Sequence, residues 1–239
     1  MSELVLVRHG QASFFSDDYD QLSQTGELQS QELGRFWLAR GIRFDEVYSG
    51  PLRRQVRTAE VVGEAYRQAG QSWPELGIID ELAEYDGDGI VRALLPVLAE
   101  RDPRVQRLAD EYEKAEGQRE KYKTFHRMLS ATAEAWLRGE VLSPDVEPWR
   151  SFHDRVQRGL QQITEGKSGG RRIAVFTSGG PISIAVQTAM KAPEPLALEL
   201  NWRIRNCSVT EIVFSNGKFT LDHFNGIPHL GDPKLWTYR

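Results

Sequence analysis

Residues 4–7, Leu-Val-Leu-Val, form an unbroken apolar run that ends on Arg8-His9-Gly10. Four apolar residues in succession suit a strand covered on both faces, the usual state of a strand inside an α/β sheet. Such a strand delivers Arg8, His9 and Gly10 to its carboxyl end, where open α/β sheets hold their ligands. A glycine there lets the backbone turn sharply and approach a bound group. An arginine offers a planar, permanently charged fork that suits a phosphate. The histidine between them is a nucleophile that can be neutral near pH 7.

The rest of the chain supplies the alternation that such a strand requires. A polar, aspartate-rich loop from Phe14 leads to Ser23-Gln24-Thr25-Gly26-Glu27, a helix start with Ser23 or Thr25 as cap. Leu28, Leu33, Phe36 and Trp37 give that helix its apolar side, and Gly41 ends it. Phe44 to Ser49 reads as a strand, and Pro51 opens a second helix with Val56, Ala59, Val62 and Tyr66 on the buried side. Leu76 to Ile79 is a further short strand, which completes a β-α-β-α-β pattern with right-handed crossovers. The character changes at Asp86. Ile90 to Gly139 is charged, helical and strandless, so residues 86–148 read as a helical insertion over the carboxyl edge of the sheet, a lid or substrate wall. After a helix from Trp149 to Thr164 the sheet resumes with Arg172 to Thr177, then Ser178-Gly179-Gly180-Pro181 and a helix to Lys191. Ser208 to Ser215 and Lys218 to Phe224 flank Asn216-Gly217, the pair favoured in a type I′ hairpin turn. The tail from Asn225 is expected to be irregular and docked through Leu230, Leu235, Trp236 and Tyr238. The expected fold is a single three-layer α/β/α sandwich domain over residues 1–239, with a mostly parallel sheet, an antiparallel edge hairpin and the helical cap.

Charge and cysteine usage exclude several classes of function. A net charge of -4 gives no basic face for nucleic acid. No apolar run reaches the length of a membrane span, and no basic-then-apolar leader precedes the first strand. Cys207 is the sole cysteine, which rules out intrachain disulfides and multi-cysteine zinc sites and points to a reducing cytoplasm. No histidine pair has metal-ligand spacing, so neither metal nor cofactor is expected. His126 and His153, in the helical stretches, read as surface residues. The sequence is silent on oligomeric state.

Arg8-His9-Gly10 after one strand, and Ser49-x-x-Leu52-x-Arg54-x-x-x-Thr58-Ala59 after another, resemble the histidine phosphatase superfamily, the group that includes phosphoglycerate mutases and many small phosphatases. The likeness extends over nearly the whole chain, including the helix start at Leu22 to Gly26, the strand ending in Gly179-Gly180 and the C-terminal hairpin. It implies that His9 attacks phosphorus and forms a phosphohistidine, which water then releases, while Arg8 and Arg54 clamp the phosphoryl oxygens. Arginine forks suit that task on physical grounds, because phosphoryl transfer needs in-line positioning and neutralised equatorial oxygens. Arg53 and Arg57 compete with Arg54 in the cluster. The leaving oxygen needs a proton. Glu81-Leu82-Ala83-Glu84 resembles the family's acid-bearing segment, which makes Glu84 first choice as catalytic acid and Glu81 second. Gly10, Gln11, Ser13 and Asn206 are candidate pocket residues.

The chain departs from the family where most members carry a second histidine before the paired glycines. Ser178 stands there, with Gly179 behind it at a helix N-terminus whose N–H groups still favour an anion. Loss of one preorganised donor costs on the order of 10²–10³ in rate. Ser178, two glycines and a helix also suggest a nucleophile elbow, with Asp222 and His223 or His229 downstream in Ser-Asp-His order. Phe176 replaces the first glycine of that motif, however, and the reading leaves Arg8, His9 and Arg54 idle. The expectation is therefore a phosphomonoesterase of the histidine acid phosphatase type acting on a small phosphorylated metabolite. The alternative is a weakly active or non-catalytic relative that binds a phosphorylated ligand. Phosphoglycerate mutase activity is disfavoured because Phe14-Phe15-Ser16-Asp17 replaces the mutases' tryptophan-asparagine pair.

Overall fold

The computed structural model describes residues 1–13, 20–166, 169–215 and 217–238, with the backbone alone for Gln118. A six-stranded sheet holds β1 (Ser2–Arg8), β2 (Glu46–Ser49), β3 (Leu76–Ile78), β4 (Arg172–Thr177), β5 (Val209–Ser215) and β6 (Lys218–Gly226) in the order β3-β2-β4-β1-β5-β6. The first four in that order run parallel, and β5 and β6 add an antiparallel edge. Leu4–Val7 has neighbours on both sides, β4 and β5, and every residue of the run is buried. The uninterrupted apolar sequence therefore marks a central strand, with no solvated face to call for alternation.

Helices cover both faces. On one side α1 (Gln24–Ala39) packs on α2 (Arg53–Gln68), and their Leu33, Trp37, Ala59, Val62 and Tyr66 meet Val5, Val7, Val47, Ala174 and Phe176 of the sheet. Leu4, Leu6, Ile173 and Val175 alternate onto the other face. There α7 (Gly179–Met190) packs against β1, and α6 (Trp149–Thr164) lies beside it, Gln157 donating to the Thr188 hydroxyl. A short helix, α8 (Pro195–Asn201), leads on toward the hairpin. This is the expected three-layer α/β sandwich.

Several local details differ from the sequence pattern. Ser23 is the cap of α1, accepting from the Gly26 N–H at 3.1 Å. Leu28, expected inside, is 40% exposed, while Gln29 and Ser30 are buried. On α2 Val61 is buried, whereas Val56, expected inside, is partly exposed. Gly217 has a positive φ of 78°, as the hairpin turn requires, while Asn216 lies outside the described residues.

The chain divides into two compact units, Met1–Glu84 with Arg155–Arg239, and Tyr85–Asp154. The second contains α3 (Gly87–Arg101), α4 (Pro103–Lys114), α5 (Gly117–Arg138) and the first turn and a half of α6. Its core is aromatic: Trp136 stacks within 5.0 Å of Tyr85, 5.2 Å of Trp149 and 5.8 Å of Phe152 between ring centroids. Among the described residues no helix is long and apolar enough to cross a membrane, and no group of three or more His, Cys, Asp and Glu is placed to hold a metal ion.

Candidate active site

The site is built from the carboxyl end of β1. Strand pairing stops at Arg8, but the His9 N–H still donates to the Thr177 carbonyl at 2.8 Å, so His9 leaves the sheet beside the end of β4. Its ring is buried and held at both nitrogens. Nδ1 lies 2.7 Å from the Gly10 carbonyl, which can only accept, so Nδ1 carries the proton. Nε2 faces Arg54 Nε at 3.2 Å, and a guanidinium can only donate, so Nε2 presents its lone pair. Both contacts select the same neutral tautomer.

Arg54 belongs to the first turn of α2 and is 7% exposed. Its Nη1 pairs with Asp20 at 2.7 Å. The Asp20 carboxylate also accepts the backbone N–H groups of Arg53 (2.8 Å) and Arg54 (3.4 Å). A carboxylate thus occupies the N-terminus of α2, where the helix favours negative charge. Asp20 was not singled out from its aspartate-rich loop by any sequence signal. Of the two competing arginines, Arg53 is exposed, and Arg57 is engaged by Glu27 at 2.8 and 2.9 Å and by Glu64 at 2.8 Å, which hold its guanidinium above its ordinary pKa, Glu27 most strongly. Arg8 is buried and donates to the Ile204 carbonyl.

Gly10 is needed for a reason other than a turn. A Cβ on it would lie 2.5 Å from the Gly26 carbonyl oxygen, and one on Gly26 only 2.2 Å from the Gln11 carbonyl oxygen. The loop after β1 therefore rests directly on the start of α1. The Gly10 N–H donates to Thr58 Oγ1 at 3.0 Å, and that hydroxyl donates to the Arg54 carbonyl at 2.7 Å, which joins the Arg8-His9-Gly10 loop to the start of α2 through one threonine. The Gln11 N–H donates to Gln29 Oε1 at 2.8 Å, Gln11 Oε1 accepts from Ser23 Oγ at 2.9 Å, and the Ser13 N–H donates to the Gln21 carbonyl at 2.9 Å. Gln11 and Ser13 shape the loop through these bonds.

Across the end of β4, Glu84 Oε2 accepts the Gly180 N–H at 3.1 Å, so this carboxylate sits at the N-terminus of α7. Glu81 lies in the 3₁₀ turn Asp80–Leu82.

The sequence profile of the histidine phosphatase superfamily (branch 1) matches residues 4–90 and 91–226. The chain belongs to that superfamily. A 2,3-bisphosphoglycerate-dependent phosphoglycerate mutase of Thermobifida fusca is 38% identical over 80 residues, 30% of this chain and 31% of that protein, so the match spans about a third of the curated relative. A phosphoglycerate mutase of Bacillus anthracis superposes with a TM-score of 0.63 at 19% identity, over 96% of this chain and 95% of that one. A mutant phosphoserine phosphatase of Entamoeba histolytica in complex with phosphoserine gives 0.58 at 20% identity, over 96% and 100%. These structures establish the phosphoglycerate mutase fold for this histidine phosphatase superfamily member.

Against that family background the serine at 178 has a specific environment. Ser178 is fully buried, and its Oγ accepts from Gln55 Nε2 at 2.7 Å. Gln55, one residue past Arg54, was missed by the sequence reading; Gly50 makes room for it, since a Cβ there would meet Gln55 Oε1 at 2.2 Å. Gly179 likewise has no space for a side chain, with Asn201 Oδ1 at 2.3 Å from a Cβ position. The nucleophile-elbow partners do not reach Ser178. Asp222 and His223 are exposed on β6, three strands from β4 or about 14 Å at the usual spacing. His229 is buried edge-on to Phe36, its ring centroid 6.0 Å away, and burial pushes its imidazole down to about 4 against a smaller upward pull from the Cys207 backbone.

Asn206 and the tail complete the support of the His9 loop. The His9 carbonyl accepts from the Cys207 N–H (3.2 Å) and from Asn206 Nδ2 (3.4 Å). Asn206 is in turn paired with Thr237, N–H to carbonyl at 2.8 Å and Oδ1 from Thr237 Oγ1 at 2.9 Å. Gln29 Nε2 donates to Thr237 Oγ1 (2.9 Å) and to the Leu235 carbonyl (2.7 Å). The tail docks by these polar bonds and by Leu230; Trp236, 45% exposed, donates its Nε1–H to the Leu230 carbonyl at 2.8 Å, and Tyr238, 44% exposed, has the Arg205 guanidinium 5.3 Å from its ring centroid. His126 and His153 stand half-buried on α5 and α6, His126 by Tyr122 and His153 by Trp149.

Proposed function

We propose that the protein hydrolyses a small phosphomonoester through a phosphohistidine at Nε2 of His9. The observation that carries this reading is the tautomer: Nδ1–H is fixed on the Gly10 carbonyl and the Nε2 lone pair faces the Arg54 guanidinium. A buried imidazole held this way offers one nucleophilic atom with a cationic fork beside it. In the first step Nε2 attacks phosphorus and the bond from phosphorus to the ester oxygen breaks. Arg54 and Arg8 neutralise the equatorial oxygens. Glu84 gives its proton to the departing alkoxide. In the second step water attacks the phosphohistidine, the Glu84 carboxylate takes the water's proton, and phosphate leaves with His9 restored. Asp20 holds Arg54 in the free protein through the kind of contact a phosphoryl oxygen would make.

A second reading, a phosphorylated-ligand binder with little turnover, draws support from Ser178, whose hydroxyl is held by Gln55 where most relatives have a second histidine. The mutase reading rests on the names of similar proteins, and residues 14–17, which bear on it, lie outside the described residues. The test is phosphate release from p-nitrophenyl phosphate and a panel of small phosphomonoesters, with rapid acid-labile phosphoprotein trapping. Release from the parent, a trapped phosphoprotein and loss of both in His9→Ala are expected. Binding of phosphomonoesters without release, or release that survives in His9→Ala, would overturn the proposal.

A further inference from the structure

We propose that Arg155 is a positioning residue for Glu84, clamping the backbone that carries the proton donor; this rests on the reading of Glu84 as the acid. Arg155 Nη1 donates to the carbonyls of Glu81 and Ala83, at 2.7 Å each. The carbonyl between them, Leu82, accepts from Thr177 Oγ1 at 2.8 Å and from Gln55 Nε2 at 3.2 Å. Three successive carbonyls ahead of Glu84 are thus held by side chains from three separate elements, α6, β4 and α2. These bonds hold the 3₁₀ turn Asp80–Leu82 and the residue after it in one path.

A second observation on the same helix points the same way. Gly159 lies one turn after Arg155, on the same face of α6. A Cβ at Gly159 would sit 2.9 Å from Glu81 Cβ and 3.2 Å from Leu82 Cδ2. The helix therefore comes against the segment at a distance that only glycine allows, and the arginine one turn earlier reaches the carbonyls on either side of Leu82. Glu84 and Arg155 are also the residues on either side of the helical unit, Glu84 the last before it and Arg155 the first after it. The clamp consequently ties together the two places where the chain leaves and re-enters the sheet unit. A proton donor must hold its hydrogen-bond geometry to a fraction of an ångström, so slack in this segment falls on the protonation step rather than on phosphate binding.

Leaving-group dependence isolates that step. A nitrophenolate leaves without help, whereas an alkoxide needs the proton. In Arg155→Met, kcat/KM, which reports the steps up to departure of the leaving group and not the shared hydrolysis in which Glu84 serves as base, should fall by about 10²-fold for an alkyl phosphate such as glycerol phosphate, with a loss at least about tenfold smaller for p-nitrophenyl phosphate. Arg155→Lys, which keeps a cationic donor, should recover part of the alkyl phosphate rate. Gly159→Ala, which keeps the guanidinium and displaces the helix, should show the same split at smaller size. Glu84→Gln should show the largest split, and Glu84→Gln with Arg155→Met should be no worse than Glu84→Gln alone. Equal losses on the two substrates in a folded Arg155→Met, or additive losses in the double variant, would overturn the role of Arg155 while leaving Glu84 as acid. A parent that releases no phosphate, or a Glu84→Gln without the split, would overturn both.

Discussion

The turn that leaves β1 and the turn that leaves β4 stand side by side, in register at Arg8 and Thr177, yet their side chains take opposite courses. At the first, His9 is held with a lone pair presented to Arg54, and Asp20 occupies the N-terminus of α2 close by. At the second, Glu84 occupies the N-terminus of α7, but Ser178 is fully buried and gives its oxygen to Gln55. Backbone position alone makes both residues eligible for chemistry at the carboxyl edge of the sheet. The partner of each polar atom decides between them. His9 faces a donor that a phosphoryl group can share, and Ser178 faces an amide that belongs to the framework. Where the resemblance implies a second histidine, this chain has a buried serine whose oxygen accepts from Gln55.

The largest effect that could break this contrast is at His9. His9→Ala should lower phosphate release by about 10⁶-fold, the scale seen when a covalent nucleophile is removed, as read in steady-state assays. Arg54→Met should cost about 10²–10³-fold in kcat, because it removes one preorganised donor and the cationic partner of Asp20. Arg57→Met should cost under about threefold, and a loss as large as that of Arg54→Met would show that the cluster acts as a whole.

The fold has its own titration, which must be kept apart from that of the site. With its imidazole lowered to about 4, His229 binds fewer protons in the folded state than in the unfolded one. Stability is therefore full above about pH 6.5 and declines as pH falls toward 4, by about 3 kcal/mol in all. Urea melts across that range should show the decline, and His229→Leu should flatten it. An unchanged slope in that variant would assign the acid sensitivity to other groups. The smallest expected effect sharpens the contrast most. Ser178→Ala should change turnover by less than about threefold and cost about 1 kcal/mol in denaturant melts, the value of one internal hydrogen bond. A loss near that of Arg54→Met would place the Ser178 hydroxyl in the chemistry after all.

What the sequence displayed was local or repetitive. Leu4–Val7, the Ser23 cap and Pro51 ahead of α2 each act within a few residues, so their signals survive without knowledge of neighbours. The strand ends followed from them and placed His9, whereas Arg54 was preferred to Arg53 and Arg57 only by the family resemblance. What it hid was pairing over distance. Nothing near Arg57 announces that Glu27 will engage it from another helix. Nothing near Gln29 announces that a polar residue on α1 will be buried by bonds to Gln11, Leu235 and Thr237, while Leu28 beside it faces solvent. Hydrophobic pattern assigns the inside of a helix to its apolar stripe, and it fails where hydrogen bonding satisfies a buried amide instead. The aromatic core around Trp136 was hidden for the same reason, since Tyr85, Trp149 and Phe152 come from separate stretches.

The place of β1 in the sheet also sets a difficulty in time. Its parallel neighbour begins at Arg172 and its antiparallel neighbour at Val209, so most of the chain separates this strand from either partner. Contacts so remote in sequence form slowly, because a long loop must close before any of them is rewarded. Until then Leu4-Val5-Leu6-Val7 is an apolar ribbon with both edges open, the sort of segment on which nascent chains associate with one another. The yield of folded protein should accordingly depend on how well this one stretch is shielded while the later strands are made, and His9, two residues beyond it, gains its neighbours only when the last of them arrives.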